Sequence, residues 1–299
     1  MLAFLTLLWG SSFLLIKIAS QAFDSAGFAF GRAGIAAAAL AVVALAMRLR
    51  WPRSPRLWGQ MAAMSLFGQV VPFLLFGVAA HLTTSADMAL MMGGVPIFTF
   101  VIARLFALGE VWNARAASGL AFGLIGVAVS LASPLGSVAA ATASAPGLGR
   151  ALALLGALGY ATGALLSRPV TREIGATMAA AGSMAVSSGL LLVLVLTLHG
   201  LPTPAVLAAT PLAPLAALCA LGLFNTALAY FVYFRLIASA GATFAALNNY
   251  MVPFLGLLAG AWALGEPVGA SSWLGLACVL CGVVLTGSAA NPSLVIAQR

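Results

Sequence analysis

VPIFTFVIARLFALGEVWNARAASGLAFGLIGV, residues 95–127, is answered later in the same chain by VPFLGLLAGAWALGEPVGASSWLGLACVLCGV, residues 252–283. In each copy a Val-Pro stands inside an apolar run that ends Leu-Gly-Glu, and a second apolar run carries a Gly nine residues beyond the Glu. Each copy reads as two membrane-crossing helices joined by a tight turn that holds the Glu. The chain is then two related halves rather than one long array.

Outward from that motif the match continues. Residues 67–80 align with 224–237, and residues 9–17 align loosely with 160–168. Apolar runs predict helices over 3–19, 25–47, 58–80, 84–107 and 113–131, then over 149–169, 175–197, 213–236, 240–264 and 270–288. This is an all-α integral membrane protein of ten transmembrane helices arranged as a 5+5 repeat. Residues 1–132 form the first five-helix half and 149–289 the second. Between them, residues 133–148 are rich in Ala, Ser, Pro and Gly and read as a linker; residues 290–299 form a tail.

Composition excludes a soluble globule. Soluble domains carry roughly 25% charged residues, whereas this chain of 299 has 6%, with 63% hydrophobic residues and a mean hydropathy of +1.14. Runs of about 18 or more apolar residues span a hydrocarbon core about 30 Å thick as helices, while barrel strands would be about ten residues long with alternating polarity. The net charge of +8 does not indicate nucleic acid, because the basic residues fall between apolar runs rather than in one aromatic-interleaved patch. Residues 2–16 resemble a signal-peptide core, with Ser20-Gln21-Ala22 as a cleavage-like site. No basic residue precedes the run, however, and Lys17 lies at its far end, so it reads as the first helix. Cys219, Cys278 and Cys281 fall inside helices and read as small apolar side chains. No His stands near them, so neither a metal nor another cofactor is expected.

The basic residues also orient the chain. Arg48, Arg50, Arg53, Arg56, Arg104, Arg115, Arg168, Arg172, Arg235 and Arg299 fall on one side, and only Lys17, Arg32 and Arg150 on or toward the other. The positive-inside rule makes the first side cytoplasmic and places both termini there, in the inner (plasma) membrane. Five helices per half is an odd number, so the second half enters from the opposite side. Glu110 then turns at the cytoplasmic face and Glu266 at the outer one. Such inverted repeats are a device of secondary transporters, whose halves rock about a site near the midplane.

These residues resemble a known family. Pro96 with Leu108-Gly109-Glu110, Pro253 with Leu264-Gly265-Glu266, the Leu8-Trp9-Gly10 opening and Arg32 are similar to the EamA-type drug/metabolite transporter superfamily. The resemblance covers nearly the whole chain and implies export of small metabolites; similarity to the amino-acid exporter branch implies aromatic and other neutral amino acids. The second half departs from the pattern. Leu8-Trp9-Gly10 is answered only by Leu158-Gly159-Tyr160, and Arg32 has no counterpart, so the site is asymmetric if those residues touch the solute.

Polar groups in mid-bilayer are costly unless they face protein or water, so their depth singles them out. Trp9, Ser11, Ser12, Gln69, Tyr160, Asn225 and Tyr230 are mid-depth, and Asn248, Asn249 and Tyr250 come just before Pro253. They either line a substrate site or hydrogen-bond helix to helix. Met92, aligned near that cluster, lines an apolar pocket or fills core. Pro96 and Pro253 each deprive one carbonyl of its helical donor and serve as hinges or as static bends. Arg32 either meets a substrate carboxylate or reaches toward the outer interface with Asp24. Glu110 and Glu266 cap helices or act as proton-coupled gates. His81, Asp87 and His199 lie near outer helix ends and are expected to be wet; with Glu266, His81 and Asp87 are the candidates for ion coupling. No acid lies at mid-depth, which favours facilitated or exchange transport.

Other classes fit less well. The two histidines make no His-Glu-x-x-His motif, no mid-membrane aspartate pair exists, and the sole lysine, Lys17, lies in no P-loop and in no retinal-binding position, so no enzyme is expected. No selectivity element of a channel is visible. The sequence therefore predicts a monomeric secondary transporter whose partners are a small-molecule substrate and the lipid bilayer. A neutral or zwitterionic solute such as an amino acid, methionine included, suits amides, hydroxyls and aromatics without an acid. The alternative is a multidrug or other-metabolite exporter coupled to protons.

Overall fold

The structure, a computed structural model, describes residues 1–106, 114–132, 144–198, 200–236, 248–265 and 268–289. Among them every regular element is helical. Ten helices are numbered here in chain order: α1 (Leu2–Ala19), α2 (Ser25–Ala46), α3 (Pro55–Leu82), α4 (Ser85–Leu105), α5 (Ala114–Ala132), α6 (Pro146–Ile174), α7 (Ala176–Leu198), α8 (Leu212–Leu236), α9 (Asn248–Leu264) and α10 (Ala270–Ala289). A short helix, Pro204–Ala209, precedes α8. Six of them, α2, α3, α4, α6, α7 and α8, are long and apolar enough to cross a membrane; the other four contain shorter apolar stretches. Large apolar side chains point outward, with Trp262 91% exposed, Leu212 80% and Leu105 76%. Arg32, Gln69, Asn225, Thr226 and Asn248 are buried, which is the polarity expected of a protein that faces lipid.

Local chemistry sets the ends. Asp24 caps α2 by accepting from the Gly27 N–H at 2.9 Å, and Thr84 caps α4 by accepting from the Asp87 N–H at 3.1 Å. The second half begins at Pro146, earlier than the expected 149, because proline suits the first turn of a helix, where its missing N–H costs nothing. α6 and α7 are separated by Gly175 alone, at φ +78°, a conformation that glycine adopts without strain. Two expectations differ in detail: α3 starts at Pro55 and runs to Leu82, and α4 is interrupted. The residues expected to open α9 at 240–247 lie outside the described set. So do residues 133–143 of the linker, the 290–299 tail, Leu108, Gly109, Glu110, Glu266 and His199.

The interruption in α4 has a chemical cause. Pro96 has no N–H to offer the Met92 carbonyl four residues back, and that carbonyl instead accepts from the Val95 N–H at 3.0 Å. The helix therefore divides into Ser85–Met91 and Gly94–Leu105. Around Pro253, α9 runs without a break from Asn248 to Leu264. Two further irregularities fall at aligned places in the two halves. Leu66–Val70 within α3 and Leu223–Leu228 within α8 are π-helical, a wider winding found often at functional sites.

Cross-packing between the first five and the last five helices is reciprocal. α1 packs on α9 as α6 packs on α4, α8 on α1 as α3 on α6, and α2 on α8 as α7 on α3; α2 meets α7, α4 meets α9 and α5 meets α10. Close approach rests on glycine. A Cβ on Gly163 of α6 would stand 2.2 Å from the Gly68 Cα of α3, and one on Gly282 of α10 would stand 2.4 Å from the Gly123 backbone N of α5. These glycines therefore serve contacts inside one chain.

Candidate functional site

Where the two sets of helices meet there is a cavity with about 740 Å³ of empty space, mouth included, walled by residues of α1, α2, α3, α4, α6, α8 and α9. Of the residues singled out by depth, Trp9, Ser12, Gln69, Tyr160 and Tyr230 line it, as does Met92, singled out by alignment.

An aromatic wall comes from both halves. The Trp9 ring lies 5.0 Å from Tyr233 and 5.9 Å from Tyr230, and Phe76 lies 5.9 Å from Tyr160 and 5.6 Å from Phe13. Such edge and offset contacts hold rings in place without filling the space between them. Tyr230 is anchored further: its hydroxyl donates to the Gly68 carbonyl at 3.0 Å. That carbonyl is available because Pro72, four residues on, has no N–H to give it.

The amides separate into different roles. Gln69 lines the cavity, but both ends of its side chain are engaged by α7: its Nε2 donates to Ser183 Oγ at 3.1 Å, and the Ser187 hydroxyl donates to its Oε1. Asn225 is not in the wall. Its Nδ2 donates to the Leu8 carbonyl and approaches the Ser11 and Ser12 hydroxyls at 3.0 and 3.1 Å, so it fastens the π-helical part of α8 to α1. Ser11 also lies outside the wall, returning its hydroxyl to the Leu7 and Leu8 carbonyls. Asn248 is fully buried away from the cavity and accepts from the Thr6 hydroxyl at 2.7 Å. Asn249 and Tyr250 belong to α9, but their side chains lie outside the described set.

Arg32 supplies the charge in the wall. Instead of reaching toward the outer interface with Asp24, it turns inward and is 3% exposed. Its Nε donates to Thr226 Oγ1 at 2.7 Å, and its guanidinium carbon lies 4.1 Å from the Phe73 ring centroid, a cation–π contact. Its Nη1 has no hydrogen-bond partner. Sequence left Arg32 open between a substrate carboxylate and the outer interface. The signal for its inward course is its place on the face of α2 that carries the buried Phe28, Ala29 and Ala36. Tyr233, Phe234 and Phe76 are further wall residues that apolar composition did not distinguish from core.

One end of the molecule is tied by a polar cluster. Lys17 Nζ donates to the Ala80 and Thr83 carbonyls at 2.6 and 2.7 Å, closing the C-terminal turn of α3. Asp87, expected to be wet, is instead buried: it accepts from the Thr83 hydroxyl at 2.6 Å and pairs with Arg150 Nε at 3.0 Å. Its place in the first turn of α4, against the start of α6, brings the two helix starts together. His81 is exposed at the end of α3.

The EamA-like transporter family model matches residues 1–132 and 147–288. Among curated proteins, the chain is 26% identical over 277 residues to the "Probable terminal-alkyne amino-acid exporter" of Streptantibioticus cattleyicolor, covering 93% of this chain and 89% of that one. It is 27% identical over 285 residues to the "Uncharacterized inner membrane transporter YedA" of Escherichia coli K12, covering 94% and 87%. A protein solved by crystallography superposes with a TM-score of 0.67 over 99% of this chain and 96% of its own, at 18% identity, a likeness of fold alone. The chain belongs to the EamA-like transporter family and is a membrane transporter of the drug/metabolite type.

Proposed function

We propose that this protein is a secondary transporter that moves small neutral or zwitterionic solutes, amino acids including aromatic ones and methionine, across the inner membrane by alternating access. Ten helices cross the bilayer as two inverted five-helix halves, with both termini cytoplasmic and a single chain as the working unit. The observation that carries the reading is the cavity between the halves, with aromatic faces, a hydroxyl and one cation, and no carboxylate among its wall residues. An acid-free cavity disfavours organic cations, and a lone cation is too little for phosphorylated solutes. Reciprocal packing of the helices supports the inverted repeat.

Trp9, Ser12, Gln69, Met92, Tyr160 and Tyr230 contact solute in this scheme, with Ser11, Asn225 and Asn248 holding the surrounding helices. The break ahead of Pro96 and the two π-helical segments are where the helices flex, and the Lys17, Thr83, Asp87 and Arg150 cluster closes the outer side. Asp87 is engaged by Arg150, which favours transport without an ion over proton coupling through this carboxylate.

The test is uptake of labelled L-phenylalanine, L-methionine and L-threonine into proteoliposomes holding the purified protein, with and without an imposed proton gradient. Saturable uptake that is accelerated by unlabelled solute on the opposite side, and independent of the gradient, is the expected result. Flux that neither saturates nor shows this acceleration would mean a channel, and gradient-driven accumulation would return attention to His81, Asp87 and Glu266.

A further inference from the structure

Arg32 is a buried cation whose charge the described protein does not balance. Arginine keeps its proton, and an ionised group removed from water is costly unless it is paired. The Thr226 hydroxyl and the Phe73 ring are both neutral, and the Asp87 carboxylate is held by Arg150. Nε of the guanidinium donates to Thr226, the neutral Tyr160 hydroxyl also faces the guanidinium, Nη1 has no partner, and the residue forms part of the cavity wall. A structural role in joining α2 to α8 is served by the bond to Thr226 and leaves Nη1 unexplained.

We propose that Arg32 is the carboxylate-recognition residue of the cavity, with its unpartnered Nη1 binding the carboxylate of the transported solute while the rings of Trp9, Phe76 and Tyr233 receive an apolar side chain. A carboxylate matches the planar fork of donors in shape and charge. Its arrival neutralises the buried cation, so the cavity suits a solute with one anionic group. Selectivity follows from the same geometry: a solute with no carboxylate leaves the charge uncompensated. This inference rests on the cavity being the substrate site.

Thermal unfolding of the full-length protein in detergent tests it, using L-phenylalanine, 3-phenylpropanoate, phenethylamine and L-phenylalaninamide as probes. Phenylalanine and 3-phenylpropanoate are expected to raise the unfolding midpoint, with the two carboxylate-free probes binding on the order of 30-fold more weakly or worse. In Arg32→Gln that preference disappears, and Arg32→Lys restores part of it. The wild-type comparison decides the matter even if neither variant folds. Binding of 3-phenylpropanoate alone upholds Arg32 and overturns the amino-acid reading. Equal binding of phenylalanine and its amide upholds that reading and overturns the role of Arg32, whereas preference for phenethylamine, or no binding by any of the four, overturns both.

Discussion

At the scale of single residues, similar side chains at similar depth do different things because of what faces them. Gln69 and Asn225 are both mid-helix amides, yet one lines the cavity while tied to α7 and the other fastens α8 to α1. Tyr230 shows how a backbone irregularity recruits a side chain: Pro72 withholds a donor and the Tyr230 hydroxyl supplies one to Gly68. Tyr230→Phe keeps the ring and removes that bond. Hydrogen bonds between membrane helices average about 0.6 kcal/mol, so unfolding in detergent should show a loss of that order, with folded yield unchanged. A loss above roughly 2 kcal/mol would mean that the hydroxyl holds the π-helical segment in place, since it exceeds the ordinary range for such a bond.

At the scale of elements, two contacts position the cavity. The α3–α6 crossing depends on Gly163 against Gly68, where an added Cβ would meet backbone at 2.2 Å. Backbone cannot swing aside as a side chain can, so Gly163→Ala should cost about 1–3 kcal/mol. Gly59→Ala, with nothing within 4 Å of its Cβ, serves as the neutral control, and equal stability of the two variants would overturn the packing account. The second contact is Arg150 with Asp87, whose side chains are buried at 7% and 9% exposure respectively. Removing one member of a buried pair typically costs about 3–5 kcal/mol. Asp87→Asn should therefore lower stability by an amount in that range, and a double-mutant cycle with Arg150→Gln should return a coupling energy of the same sign. A change under about 0.5 kcal/mol would be that of a solvated surface pair.

For the whole molecule, orientation is a matter of charge rather than packing. The arginines between α2 and α3 lie beyond the ends of those helices, and the proposed orientation, by the positive-inside rule, puts them in the cytoplasm. A fluorescent protein fused after Arg299 should therefore be bright, and alkaline phosphatase at the same place inactive; the reverse pattern would invert the assigned direction of every helix. Reciprocal packing makes the two halves near equivalents as scaffolds. Chemistry does not follow that symmetry, since Arg32 contributes a charge that the second half does not repeat.

Sequence by itself determined the class and the family. Hydropathy of helix-long runs requires a membrane-spanning helical protein because only internal hydrogen bonding satisfies a backbone in lipid, and the repeated Val-Pro and Leu-Gly-Glu pattern, with the Leu8-Trp9-Gly10 opening and Arg32, identified the relatives. Depth also selected five residues that line the cavity, Trp9, Ser12, Gln69, Tyr160 and Tyr230, and the alignment of the two halves selected a sixth, Met92. Tertiary structure alone decided which polar side chains face the cavity and which join helices, because hydropathy measures depth along a helix and nearly nothing about its rotation. It also decided the π-helical turns, the burial of Asp87 and the inward course of Arg32, each of which depends on partners far away in the chain: Arg150 for Asp87 and Thr226 for Arg32.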